Sequence, residues 1–315
     1  MVAFSVATGP LLTVLDTPDL AKTPESQGLL PLATLHPLQS SGHVPRPGDK
    51  PMSETLKLLM EKDGAIGWII FNQPEKRNAV SLEMWELMPK YVEDLASDDA
   101  IRVVVLRGAG DQAFVAGADI SQFKERRRNM ADQEEYGRIS ARGQDSLKKL
   151  GKPLLAMIHG YCVGGGVSIA ISCDMRLASD QARFGVPAAR LGLGYHYDGM
   201  DKLMHLVGPA YVKEIFFTAR TDFSAQDAWR MGLVNQVVPK DQLESFTRDY
   251  AQTMARNAPL TLKAAKASVD QLVKPAAQRD TAMLDKLLAD CFNSEDYQEG
   301  VKAFSEKRRP QFKGR

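Results

Sequence analysis

Two short apolar runs, Ile101–Leu106 and Leu154–Ile158, constrain this chain more than any other feature. Both are rich in branched aliphatic residues and lack the polar alternation of a half-exposed strand. A strand with this pattern is covered on both faces, as in a parallel sheet sandwiched by helices. Asp174–Ala178 and Leu233–Val238 repeat the signal more weakly. Helical patterns separate or follow these runs at Gln133–Leu150, Ala225–Met231, Gln242–Arg256 and Leu260–Leu272, and from Leu260 onward the pattern is almost wholly helical. Strands alternating with helices define an α/β architecture. Upstream, Thr55–Met60 and Ile66–Phe71 flank the turn signal Lys62-Asp63-Gly64 and predict a hairpin. Ser81 is placed to cap a helix whose apolar positions are Leu82, Trp85, Met88, Val92 and Leu95, with Pro89 inside it.

The first 51 residues differ in kind from the rest. Eight of the chain's 17 prolines lie there, with Phe4 as the one aromatic and Lys22, Arg46 and Lys50 as the basic residues. Such a stretch does not readily close a core. It also lacks the apolar core of a secretory signal and the arginine-rich face of a mitochondrial one. Residues 1–51 are therefore expected to be disordered or loosely packed. Residues 52–315 are expected to form one domain, with its core at 52–255 and a helical region at 256–315. Met52-Ser53-Glu54-Thr55 reads as a natural start.

Over all 315 residues the formal net charge is +1, which argues against a dedicated nucleic-acid binder. No apolar run is long enough for a spanning helix, so no membrane partner is expected. Three widely spaced cysteines, Cys162, Cys173 and Cys291, fit a reducing compartment and a cytoplasmic location.

Two glycine-containing segments follow strands and invite a ligand. One is Phe114-Val115-Ala116-Gly117-Ala118-Asp119-Ile120; the other is His159-Gly160-Tyr161-Cys162-Val163-Gly164-Gly165-Gly166, leading into an apolar helix. Small residues there let a ligand approach backbone N–H groups, and two donors aimed at one point make an oxyanion hole. Each segment taken alone also fits an ordinary tight turn. Neither matches a dinucleotide fingerprint or a P-loop.

Taken together, residues 55–315 resemble the crotonase (enoyl-CoA hydratase/isomerase) superfamily. The matching pieces are Pro74-Glu75-Lys76-Arg77-Asn78-Ala79, Ala116 to Ile120, Gly160-Tyr161 with Gly164-Gly165-Gly166, Cys173-Asp174 and Arg183-Phe184-Gly185. Leu233-Val234 with Val237-Val238-Pro239, and Glu299-Gly300 through Phe304, Glu306-Lys307-Arg308 and Phe312, complete the match. The resemblance implies a spiral of ββα repeats with a C-terminal helical trimerisation region, a homotrimer or homohexamer, and acyl-CoA thioester substrates. No cofactor is implied beyond the coenzyme A of the substrate. The N–H groups of Ala118 and Gly165 would hold the thioester oxygen, the glycine run giving a donor where a side chain would clash. Arg77, Ala79, Ala116, Gly117, Asp119 and Ile120 would line the CoA, with Phe304 and Lys307 near its adenine and phosphates.

One departure changes the expected chemistry. Hydratases of this family carry glutamates where this chain has Ser168 and Ala188. Without a carboxylate at either place, two-glutamate hydration loses its proton-transfer groups, while thioester polarisation survives. The polar segment Leu193-Gly194-Tyr195-His196-Tyr197-Asp198-Gly199, read as a loop, offers His196 and Asp198 as replacement acid–base groups. A structural hydrogen-bond cluster explains the same residues. This makes an isomerase or another reaction with a single acid–base group the leading expectation. The alternatives are a non-catalytic acyl-CoA-binding or scaffold protein, and a thioester hydrolase using Ser168, His196 and Asp198, since the fold resembles that of Clp-type serine proteases. Lys124–Arg128 reads as a solvated helix face, with CoA phosphates or RNA as the functional alternative. His159, Cys162 and Cys173 read as core residues, Asp174 as structural, and no metal site is expected.

Overall fold

The computed structural model describes residues 56–119, 130–195 and 197–315. The expectation for residues 1–51 lies outside them. The hairpin forms from β1 (Leu58–Asp63) and β2 (Ile66–Phe71), paired antiparallel with Asp63 opposite Ile66. From β2 the main sheet continues in parallel through β3 (Val103–Gly108), β5 (Leu154–Ile158), β7 (Met175–Ser179) and β10 (Gln236–Val238), in the order β1-β2-β3-β5-β7-β10.

The apolar runs are explained by two cores. Ile69 and Phe71 of β2, Val104 and Leu106 of β3, and Leu154, Ala156 and Ile158 of β5 face one core. Ile66, Trp68 and Ile70, then Val103 and Val105, then Leu155 and Met157 face the other. Alternate residues of each strand thus enter opposite layers, and both layers are buried. Helices α1 (Leu82–Ser97) and α2 (Met130–Lys149) pack together beside the first core. Their contact is close: a Cβ on Gly143 would lie 2.6 Å from the Trp85 ring. Helix α6 (Leu243–Ala255) closes the second core with Leu243, Phe246, Tyr250 and Ala251.

A second sheet escapes the sequence reading. It consists of β4 (Ala113–Val115), β6 (Tyr161–Val163), β8 (Arg183–Gly185) and β9 (Phe223–Ser224), in that order. Two- and three-residue strands carry no periodicity that a window can register. The chain alternates between sheets: β3 then β4, β5 then β6, β7 then β8, with α2, α3 (Gly165–Ala170) and α4 (Tyr197–Thr218) following the successive pairs. This is the expected ββα spiral. Helices α5 (Ala225–Arg230), α7 (Pro259–Leu272), α8 (Thr281–Phe292) and α9 (Glu295–Ser305) complete the described α-helices.

Two local expectations are corrected. Ser81 occupies the N-cap of α1, but its buried hydroxyl makes no capping bond and has no partner among the described residues. The segment read as a loop through Gly199 enters α4 at Tyr197. Gly199 and the Gly208–Pro209 break, where Gly208 has φ 77°, obscure that helix in the sequence.

Candidate active site

The site begins at the turn after β2. Arg77 and Asn78 both adopt left-handed backbone angles, with φ 52° and 57°. Asn78 is buried: its Oδ1 accepts from Gln73 N at 3.1 Å, and its Nδ2 donates to the carbonyls of Ala109 and Ala113 at 3.0 and 2.8 Å. That amide locks the turn to the entry of β4. The Arg77 carbonyl in turn accepts from Ala116 N at 3.0 Å.

Ala116–Asp119 then runs beside Val80 as a short parallel bridge. Val80 N donates to Gly117 O at 2.8 Å, and Asp119 N donates to Val80 O at 2.9 Å. The alternation of an extended chain turns the Ala118 N–H to the opposite edge. Among the described residues that N–H donates to no backbone carbonyl.

The glycine turn approaches from that side. Gly164 has φ 56°, a conformation that disfavours a side chain, and its N–H donates to Gly185 O at 2.9 Å. A Cβ on Gly166 would lie 2.0 Å from the Val115 carbonyl oxygen, so that residue must be glycine for packing. Gly165 differs. A Cβ there would meet only ordinary contacts, 3.6 Å from Gly117 C and 3.7 Å from Ala118 N. The expected clash at the donor itself is therefore absent from the protein; it belongs to Gly166. Gly165 opens α3, where N–H groups lack an intrahelical acceptor. Its N–H and that of Ala118 thus stand on two adjoining, half-exposed segments. Two unclaimed donors so placed can stabilise a carbonyl oxygen that gains negative charge. With α3 only six residues long, the donors rather than a helix dipole carry this argument.

Around the pair, Ala79 is buried, and Asp119 is buried with Lys76 Nζ at 2.8 Å. The bond to Asp119 raises the Lys76 pKa. Ser168 follows Gly165 by three residues in α3 and is half-exposed. Ala188 is buried in the short helix Ala188–Leu191. Pro187 beside it approaches the glycine turn, 4.0 Å from a Cβ position on Gly164. Tyr195 is half-buried, edge-on to Phe216 at 5.0 Å, and burial raises its hydroxyl pKa.

Three expected site residues fall outside this description. Ile120 and His196 lie outside the described residues, as does the side chain of Asp198, whose backbone belongs to the first turn of α4. Lys124–Arg128 lies outside them too. Phe304 lies in the last turn of α9, and Lys307 just beyond its end. Phe304, 87% exposed, lines a cavity of about 780 Å³ formed by α7–α9 and the segments flanking them. That region packs at the starts of the central strands, where Lys266 of α7 pairs with Asp174 at 2.9 Å and Arg102 donates to Lys313 O at 3.2 Å. Asp174 also accepts from Leu154 N at 2.7 Å, a structural role as expected.

Cys162 and Cys173 are buried core thiols, with the Cys173 thiol pushed up by burial to about 12. His159 is buried and its pKa lowered by that burial. Among the described residues no three His, Cys, Asp or Glu side chains converge on a metal site, and no helix is long and apolar enough to cross a membrane. The sequence reading missed the Asn78 clamp and the Val80 bridge. The only local sign of the former is the asparagine itself, a residue tolerant of left-handed angles.

An α/β spiral of this topology, with Ala118 and Gly165 on adjoining segments at its strand exits, is the crotonase fold. The sequence pattern of enoyl-CoA hydratase/isomerase matches residues 61–315. The chain is 34% identical over 256 residues to the short-chain-enoyl-CoA hydratase of Clostridium acetobutylicum, covering 81% of this chain and 97% of that one. It is 32% identical over 259 residues to the 2,3-dehydroadipyl-CoA hydratase of Escherichia coli, covering 82% and 99%. The crystal structure of an enoyl-CoA hydratase/carnithine racemase from Magnetospirillum magneticum superposes with a TM-score of 0.77 at 32% identity, covering 83% of this chain and 97% of that one. The chain belongs to the enoyl-CoA hydratase/isomerase family.

Proposed function

We propose that this protein is an acyl-CoA-processing enzyme that holds a thioester carbonyl oxygen between the N–H groups of Ala118 and Gly165. The observation that carries this reading is the pair of unclaimed donors on adjoining segments. When a proton leaves the carbon next to the thioester, the electron pair moves onto that oxygen, and two preset donors stabilise the charge. His196 and Asp198 are the proposed proton-transfer groups. With Ser168 and Ala188 in place of the hydratase carboxylates, double-bond migration through the enolate is favoured over hydration, although the relatives above are named as hydratases.

Arg77, Ala79, Ala116, Gly117, Asp119 and Ile120 are proposed to line the CoA. The apolar cavity of the C-terminal helices and the exposure of Phe304 support a trimer or hexamer. In such an assembly Phe304 and Lys307 would serve a CoA site. The proposed reaction needs no cofactor besides the substrate's own CoA, and its location is proposed to be cytoplasmic.

The test is incubation with 2-enoyl- and 3-enoyl-CoA in D2O, following double-bond position and deuterium at the α-carbon. Migration or exchange that is lost in the His196→Ala/Asp198→Ala double variant supports the assignment. Water addition at a rate unaffected by that double substitution overturns it. Tight binding with no conversion of either substrate supports instead a non-catalytic acyl-CoA-binding protein, the alternative reading of the missing carboxylates. CoA release abolished by Ser168→Ala would support the hydrolase.

A further inference from the structure

We propose that Tyr161 is a positioning residue for Arg77, its ring face holding that CoA-lining guanidinium as an arm toward a phosphate group on the nucleotide of the thioester substrate. The inference rests on the acyl-CoA reading above. The Arg77 guanidinium lies over the Tyr161 ring, 4.7 Å from its centroid. Arg77 makes no ion pair with a carboxylate among the described residues, whereas its neighbour Lys76 is committed to Asp119. A guanidinium held by an aromatic face keeps its in-plane N–H donors free, which suits it to a phosphate.

Both partners are fixed from below. The left-handed Arg77 backbone is tied at both ends, its N–H to Pro74 O at 2.9 Å and its carbonyl to Ala116 N at 3.0 Å. Tyr161 sits on β6, where Cys162 turns inward and Tyr161 remains 37% exposed. On β8, Arg183 stands in register with Tyr161, and its guanidinium donates to Ala182 O at 2.9 Å. The same backbone segments continue into the donor pair: Arg77 O holds Ala116, two residues before Ala118, and Tyr161 precedes Gly165 by four. The arm for the substrate's charged tail thus shares backbone segments with the scaffold that would hold its carbonyl, while the Tyr161 ring serves the arm alone.

The experiment measures Kd for crotonyl-CoA and for S-crotonyl-pantetheine, which lacks the nucleotide. The proteins are wild type, Tyr161→Phe, Tyr161→Leu, Arg77→Ala and the Tyr161→Leu/Arg77→Ala double variant, with thermal melts for each. Tyr161→Leu is expected to weaken crotonyl-CoA binding roughly two- to fivefold. Tyr161→Phe should retain wild-type affinity, because the ring face is kept. The double variant should be no weaker than Arg77→Ala alone, and pantetheine binding should not change. Equal CoA affinity in Tyr161→Leu and wild type overturns the proposal. So does a loss shared by Tyr161→Phe, or one that extends to the pantetheine ester. Wild type that binds neither thioester refutes the acyl-CoA reading itself, so the two failures are told apart by which protein loses binding.

Discussion

Replacing Gly165 and Gly166 by alanine, one at a time, should give opposite phenotypes from one added methyl group. At Gly166 the new Cβ would stand 2.0 Å from the Val115 carbonyl oxygen, a backbone atom that cannot rotate away. Overpacking of that kind costs about 1–3 kcal/mol, so Gly166→Ala should unfold at distinctly lower denaturant. At Gly165 the nearest protein atoms are 3.6–3.9 Å away, an ordinary contact. Alanine there also removes the entropy penalty of glycine at a helical position, so stability should hold or rise by up to about 1 kcal/mol. Its methyl, however, would sit 3.7 Å from the Ala118 nitrogen. An oxygen bound by that donor needs roughly 3 Å from it and from Gly165 N, and the methyl intrudes on the same space. Loss of one such donor is worth about 3 kcal/mol, or roughly 10²–10³ in rate. Guanidinium melts and the D2O exchange rate of an enoyl-CoA, measured on both variants, decide the matter. A Gly165→Ala protein that is stable and fully active would refute the assignment of the donor pair.

Other consequences concern caps, charge and the domain boundary. Ser224 caps α5 reciprocally with Asp227, at 3.0 and 3.1 Å, so Ser224→Ala should cost about 1 kcal/mol; Ser81→Ala, removing a hydroxyl with no partner, should cost much less in the same chemical melts. Burial and, to a smaller extent, nearby Lys148 lower the Lys202 pKa to about 8, against the opposing pull of Asp145, Asp270 and Cys173. A folded value below the unfolded one means that the unfolded chain binds more protons between them, so stability rises with pH from about 8 toward the ordinary lysine value and its penalty is complete below 8. Lys202→Met should therefore stabilise the protein at pH 7 by on the order of 2 kcal/mol and flatten that rise, checked by melts at pH 7 and pH 9.5. A protein beginning at Met52 should fold and bind crotonyl-CoA as the full chain does, measured by its melting temperature and Kd.

How much of this was legible in the sequence depended on the length scale of each signal. Ile101–Leu106 and Leu154–Ile158 announced the central strands because burial on both faces leaves no polar position. The hairpin was legible through its Asp-Gly signal, although β1 runs on to Asp63 rather than ending at Met60. The second sheet was not, because its strands have two or three residues and their partners lie far along the chain. Ser81 was read as a cap from its type and position, but side-chain direction decides whether a hydroxyl reaches the helix, and that is set by packing. The glycine run located the donor site. It could not say which glycine was needed for packing: Gly166 faces Val115, whereas Gly165 faces Ala118. The reach of Phe304 and Lys307 was inferred from resemblance alone; Phe304 lines the cavity of the C-terminal helices.

The central claim is that Ala118 and Gly165 polarise a thioester carbonyl, and the carbonyl itself reports it. A crotonyl-CoA labelled with carbon-13 at the thioester carbon gives a C=O stretching band that can be followed by difference infrared spectroscopy. On binding to the wild-type protein the band should move to lower frequency, and in Gly165→Ala it should stay near the position of the free ester. A bound carbonyl whose frequency matches that of the free thioester in the wild-type protein would contradict the account.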